Sequence, residues 1–292
     1  MPGLKTIVQH TATVADRIVP PPAGVTILIY HRVGAGSDSE IDLPVDQFDR
    51  QLAHLAEHHR VISLDDAAAE LVAGTSTGWS STGPSTHDTA AAGAPGTVDE
   101  RRPVVITFDD GTADFTEHAV PALRRHGLPA TLYVATKFVA EAEPFPWGAP
   151  PTTWDALREA IDGDDLITIG SHTHAHWLLD RLGRDEIDTD LDRSIGLLRD
   201  HLDVDPVHFA YPKAVAGSPA ADVAIRRRFR TAALARSRVN RVGHTDLHRL
   251  WRTPVQRSDD AATVARKANG GLRLEGEVRS LSARVRYRGA VR

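Results

Sequence analysis

Two short stretches carry residue types that could do chemistry together. The first is Asp109-Asp110-Gly111, which ends the apolar run at residues 104–108. Two adjacent carboxylates repel each other, and burial penalises both unless a cation or a raised pKa relieves them. The second is His172-Thr173-His174-Ala175-His176, three imidazoles in five residues directly after another apolar run. The outer two are four apart, so a helical turn would set them on one face with β-carbons about 6 Å apart. Asp110, His172 and His176 together form a two-histidine, one-carboxylate set with open positions, which suits catalytic zinc or another divalent ion. Such an ion needs only one of the aspartates. Asp109 is then free to act as general base on a water whose pKa the ion lowers toward ~7. Each stretch has a plainer reading. Asp110 could cap a helix beginning near Thr112, and the histidines could form a solvated turn in a chain that has 15 of them.

The elements around these stretches set where they stand. Residues 25–30 read as a buried strand followed by His31-Arg32-Val33-Gly34, and residues 61–64, 104–108, 130–135 and 166–169 read as further strands. Short strands follow at 207–210, 231–234 and 249–255. Helical spacing appears at 45–58, 65–72, 112–126 (closed by Gly127), 154–161, 184–201 and 260–267. This alternation predicts an α/β fold built on a parallel sheet or barrel. Ligands of such folds sit at the carboxyl ends of the strands, where both stretches fall.

With 292 residues the chain suits one large α/β domain or two small ones, and with no cysteine it excludes thiol catalysis and Cys-ligated zinc. Residues 74–102 are dominated by Gly, Ser, Thr, Ala and Pro. Such a segment buries too little apolar surface to offset its ordering entropy, so it reads as a flexible insertion within one domain. Residues 1–24 form an N-terminal extension without the apolar core of a secretory signal, although Leu4, Ile7, Val8, Val14 and Ile18 fall on one helical face. No apolar run approaches membrane-spanning length. The formal net charge is −5, yet residues 224–292 hold 18 Lys/Arg against 5 Asp/Glu, while the rest of the chain holds 16 against 34. That asymmetry is compatible with peripheral association with an anionic membrane surface or with an anionic substrate. No nucleic-acid-binding signature accompanies it. These features predict a cytoplasmic protein, at the membrane surface if the basic third is used there.

Thr107-Phe108-Asp109-Asp110-Gly111 together with Ser171-His172-Thr173-x-x-His176 resembles the polysaccharide deacetylases, the NodB-homology group or carbohydrate esterase family four. The resemblance implies a distorted (β/α)7-type barrel, Asp109 as the base, and Asp110, His172 and His176 as metal ligands, with His174 a bystander. It implies one divalent ion, zinc first and cobalt, nickel or manganese as alternatives. Ile29-Tyr30-His31-Arg32-Val33, followed by Phe48 and residues 61–64, is similar to a circularly permuted subgroup with an N-terminal Tyr-His motif; there His31 would be the general acid. Phe209-Ala210-Tyr211-Pro212 resembles the motif that lines the site and supplies a backbone N–H to the oxyanion. The Arg-x-Pro-Tyr form of that motif is absent here, and Lys213 follows, which assigns the substrate and oxyanion role to Tyr211, Pro212 and Lys213. Leu250-Trp251-Arg252-x-Pro254 looks like a late strand whose arginine orients the base. The resemblance covers residues 25–268 apart from the insertion, and leaves 269–292 as a basic tail.

The expected activity is metal-dependent removal of N-acetyl groups from an amino-sugar-containing glycan or glycan precursor. O-acetyl ester cleavage at the same metal site is one alternative, and a catalytically silent carbohydrate-binding member of the fold is another. A haloacid-dehalogenase-type phosphatase is excluded, because Phe108 stands where its nucleophilic aspartate would be.

Overall fold

The computed structural model describes residues 21–73 and 99–272. Most of the N-terminal extension, most of the low-complexity segment and most of the basic tail lie outside these residues, as does the amphipathic pattern at Leu4 to Ile18.

Seven parallel strands close into a barrel. In chain order the strands are β1 (Thr26–Tyr30), β2 (Arg32–Val33), β3 (Asp42–Leu43), β4 (Arg60–Val61), β5 (Pro103–Phe108), β6 (Ala130–Val134), β7 (Ile167–Ser171), β8 (His208–Ala210), β9 (Thr231–Ala235) and β10 (Leu250–Pro254). Around the barrel the order is β1-β10-β9-β8-β7-β6-β5, and β5 pairs back onto β1 with Tyr30 opposite Phe108. β4 adds two residues at the start of β5, and β2 and β3 form a separate short ladder. The predicted strand over 61–64 is therefore shorter and earlier. Ser63 and Leu64 turn directly into a helix, with the Ser63 hydroxyl accepting from the Asp66 N–H.

Eight α-helices surround the barrel among the described residues: α1 (Val45–His58), α2 (Leu64–Ala73), α3 (Val120–His126), α4 (Thr136–Glu141), α5 (Trp154–Ile161), α6 (Arg184–Leu202), α7 (Pro219–Arg228) and α8 (Ala261–Ala268). The expected helix over 112–126 begins later and opens with a π-turn at Phe115–Ala119; Gly127 closes α3 with φ of 63°. None of the described helices is long and apolar enough to cross a membrane.

The two-residue period of each strand divides its side chains between the bore and the outer layers. Ile27, Val105, Tyr133, Ala210, Ala233 and Leu250 pack in the bore. Leu28, Tyr30, Val104, Ile106 and Phe108 point outward under α1 and α3. There Tyr30 stacks on Phe108 at 5.4 Å and meets Phe48 edge-on at 5.3 Å. A second outer core, under α6 and α7, holds Leu191, Phe209, Ile225 and Phe229. Burying these side chains stabilises the barrel by roughly 1.5–3 kcal/mol each before chain entropy is counted, so the strand ends are rigid platforms.

Candidate active site

The pleat of β5 decides where the acidic pair points. Val105, Thr107 and Asp109 share the inward face, so Asp109 enters the mouth of the bore as a continuation of the strand. Its N–H donates to the Tyr30 carbonyl at 3.2 Å, which prolongs the β1–β5 ladder by one residue. Strict alternation would send Asp110 outward. Instead Asp110 takes φ of 77° and Gly111 φ of 92°, and the Asp110 carbonyl accepts from the Ala135 N–H at 3.0 Å. Two successive left-handed residues are costly except for glycine and, more mildly, aspartate or asparagine. The turn brings the second carboxylate to the same opening as the first. Asp110 caps no helix; the residue before the helical turn is Asp114.

His172 enters by the same pleat logic, two residues beyond Gly170 on β7. A Cβ on Gly170 would meet the Tyr133 ring at 2.7 Å and the His208 carbonyl at 2.9 Å, so the glycine leaves room for Tyr133 in the bore. The His172 Nδ1 lies 2.8 Å from the Ala210 carbonyl oxygen. A carbonyl only accepts, so Nδ1 carries the proton and Nε2 presents a lone pair to the opening. Burial pushes the His172 imidazole down to about 4, despite the nearby Asp109 charge. It is a neutral ligand-type imidazole rather than an ion-pair partner.

The expected helical turn through His172 to His176 does not form. The segment is an irregular loop in which Thr173 (φ 70°) and His176 (φ 58°) are both left-handed. The Thr173 hydroxyl accepts from the His176 N–H at 2.9 Å and folds the loop back on itself. The buried Asp190 of α6 accepts from the N–H groups of His174 (2.8 Å) and Ala175 (2.9 Å). Burial raises the Asp190 pKa while these two donors oppose the rise. His174 faces away and pairs its Nδ1 with the Thr136 hydroxyl at 3.1 Å. Backbone folding thus does what helical spacing was expected to do: His172 and His176 end with ring centroids 4.9 Å apart. Asp190 was not legible in the sequence, where its only signal is an acidic residue on a buried helix face.

The three expected ligands meet. Asp110 Oδ1 lies 3.6 Å from His172 Nε2 and 3.4 Å from His176 Nε2, and all three donor atoms fall within 4.8 Å of one another. Burial would raise the Asp110 carboxyl, but its contacts with the imidazoles of His176, His31 and His172 hold it well below the usual carboxylate range. One anionic oxygen and two imidazole lone pairs converging in a buried opening fit a divalent ion.

Asp109 has a different environment. Arg252, fully buried on β10, grips it bidentately, with Nη2 donating to Oδ2 at 2.8 Å and Nη1 donating to Oδ1. The arginine is itself fixed: Nε donates to the Leu234 carbonyl at 3.2 Å, and the guanidinium lies 5.1 Å over the Tyr133 ring. Burial pushes the Asp109 pKa up, but the Arg252 charge bonded to it brings it below the usual value. The carboxylate is therefore ionised, and each oxygen keeps a lone pair beyond the one that Arg252 uses. His172 Nε2 is 3.9 Å from Asp109 Oδ2, so Asp109 and the Asp110-His172-His176 set share one opening.

His31 follows β1 and sits level with Asp109 by the β1–β5 register. Asp114, also missed at the sequence level, ties down this loop. Its Oδ2 accepts from the Val33 N–H at 2.8 Å and its Oδ1 from Arg32 Nε at 3.2 Å. Tyr211, Pro212 and Lys213 leave the end of β8 beside His172's partner Ala210. The Tyr211 N–H donates to the Ala233 carbonyl and its side chain is buried in the outer core. Pro212 has no N–H to give. Lys213 takes φ of 53°, turning its peptide out of the strand direction.

Residues 97–231 match the family model described as polysaccharide deacetylase. No curated protein matches the chain. Among solved structures, the deacetylase PplD from Streptococcus pyogenes in complex with acetate is 19% identical with a TM-score of 0.67, over 85% of this chain and 99% of that one. IcaB from Ammonifex degensii is 23% identical with a TM-score of 0.67, over 85% and 98%. A de-N-acetylase from Aggregatibacter actinomycetemcomitans is 17% identical with a TM-score of 0.61, over 83% and 99%. These likenesses show that the barrel is a shared fold.

Proposed function

We propose that this chain, whose residues 97–231 match the polysaccharide deacetylase model, removes N-acetyl groups from an amino sugar in a glycan or glycan precursor, using one divalent ion. The observation that carries the reading is the convergence of Asp110, His172 and His176 beside a separately held Asp109. The ion, with zinc the first expectation, would be held by those three side chains and would supply Lewis acidity and an acidified water. Asp109 takes a proton from the attacking water, and Arg252 keeps its carboxylate ionised and aimed. The Lys213 N–H is assigned to the oxyanion that develops on the acetamide carbonyl. His31, on the opposite rim, gives a proton to the departing amine. Acetate and a free amino sugar leave.

The test is acetate release from a panel of N-acetylated and O-acetylated glycans, with and without chelator. The expected result is chelator-sensitive release from N-acetylated members, restored by a divalent ion. Release from O-acetylated members alone would convert the reading to a carbohydrate esterase. Chelator-insensitive release, or none from any member with the ion bound, would overturn it.

A further inference from the structure

Outside the ligand set and Asp109, one side chain at this opening has no role in the chemistry. Trp147 lies on the loop between α4 and α5 and is 43% exposed, although it is a large aromatic residue. It is held in place on several sides. Phe145 stacks under it at 4.9 Å with planes 24° apart, and Phe138 packs on Phe145 at 4.2 Å. The loop is pinned at both ends. The Phe145 N–H donates to the Ala149 carbonyl and the Ala113 N–H to the Pro150 carbonyl, while the Thr152 N–H donates to the carbonyl of Gly111, next to the ligand Asp110. The indole meets the His176 ring edge-on at 6.1 Å.

We infer that Trp147 is the stacking platform for the sugar ring that carries the acetamide, and so a residue that sets specificity for N-acetylhexosamine units. The inference deepens the proposed function and rests on it for the identity of the ring. The carbonyl to be attacked must reach the ligand set, and the ring carbon is the next atom after the amide nitrogen. A pyranose in reach of the ligands therefore lies beside His176, where the exposed indole stands. An aromatic face takes the apolar C–H face of a sugar while the indole N–H stays available to a hydroxyl. Because the loop is ordered by its own hydrogen bonds and by Phe145, little entropy is lost on binding.

The experiment measures binding of a β-linked N-acetylglucosamine tetramer by calorimetry, on ion-loaded Asp109→Asn protein with Trp147 intact or replaced by Phe or Ala. Ion affinity and thermal midpoint are measured on the same proteins. Trp147→Ala is expected to weaken tetramer binding by roughly tenfold or more. Trp147→Phe is expected to recover most of it, with ion affinity and thermal midpoint unchanged. Equal tetramer affinity in all three proteins, no binding with Trp147 intact, or a loss that follows weakened ion binding would overturn the inference. Tryptophan-dependent tetramer binding by a protein whose Asp109-intact form releases no acetate would leave the platform standing and overturn the proposed reaction instead.

Discussion

The loops after β5 and after β7 deliver the same kind of cargo, the side chains proposed to hold the ion, and are held in different ways. The β5 loop is an extension of the barrel. Asp109 continues the β1 ladder, Asp110 closes a turn onto Ala135, and Arg252 reaches across the bore from β10. The β7 loop leaves the barrel after His172 and depends on a side chain from outside it, Asp190 of α6. A short motif next to a strand can therefore be self-sufficient, whereas a longer one needs a support elsewhere in the chain. Substitutions can test that contrast.

The largest effect belongs to the ligands themselves. His176→Ala removes one of three donors, and ion binding and acetate release are both expected to fall by at least ~100-fold, comparable to or beyond the loss of an outer partner. Calorimetric ion titration and an acetate assay read the two. Retained ion affinity would show that His176 holds no ion. On the β5 side, Arg252→Ala leaves a buried, unpaired Asp109 and should cost about 3–5 kcal/mol of unfolding free energy. Arg252→Lys keeps the charge but loses the planar fork. It should restore much of that stability while turnover stays roughly 10-fold or more below the parent, as expected when a base is misaligned. Equal turnover would mean that Arg252 only balances charge.

Asp190→Ala removes both acceptors beneath the His174 and Ala175 N–H groups. Ion affinity should weaken by about 10–100-fold, with a stability cost of roughly 1–3 kcal/mol for the stranded donors. The Asp109–Arg252 pair should be unaffected. If ion binding were unchanged, the β7 loop would be as self-supporting as the β5 loop and the contrast would vanish.

The smallest effect is a control at neither loop. His208, at the start of β8, is buried with Nδ1 2.9 Å from the Thr231 hydroxyl, and burial lowers its pKa from 6.5 to about 4. The folded chain keeps it neutral, while the unfolded chain takes up a proton below about pH 6.5. Its contribution is thus complete above that pH and is lost as the pH falls toward 4. Between pH 7 and 5 the loss should reach about 2 kcal/mol. Urea unfolding of the parent and of His208→Gln should differ in pH dependence over that window. Parallel curves would place the proton uptake elsewhere.

The same contrast explains what was legible in the sequence. Buried runs and strand-helix alternation pointed to a parallel sheet or barrel and put both motifs at strand ends, while the inward positions of Asp109, His172 and Arg252 follow from the pairing register. The adjacency of Asp109 and Asp110 and the spacing of His172 and His176 pointed to the ligand set. What a one-dimensional pattern could not carry was the backbone that joins them. The left-handed residues Asp110, Thr173 and His176 replace the helix capping and helical turn that their neighbours suggested. Asp190 and Asp114 act through backbone N–H groups 15 to 81 residues away, and such pairings leave no local signal. Trp147 likewise stands among prolines at 144, 146, 150 and 151, and only the packing of Phe145 beneath it marks it as a surface.

The central claim is that two neighbouring carboxylates do different work, Asp110 holding the ion and Asp109 moving the proton. Ion titration and acetate release measured side by side on Asp109→Asn and Asp110→Asn test it most directly. The account predicts that Asp109→Asn binds one ion with parental affinity yet loses roughly 10²–10⁴ in turnover, whereas Asp110→Asn loses ion and turnover together. Parental turnover in Asp109→Asn, or parental ion affinity in Asp110→Asn, would contradict it.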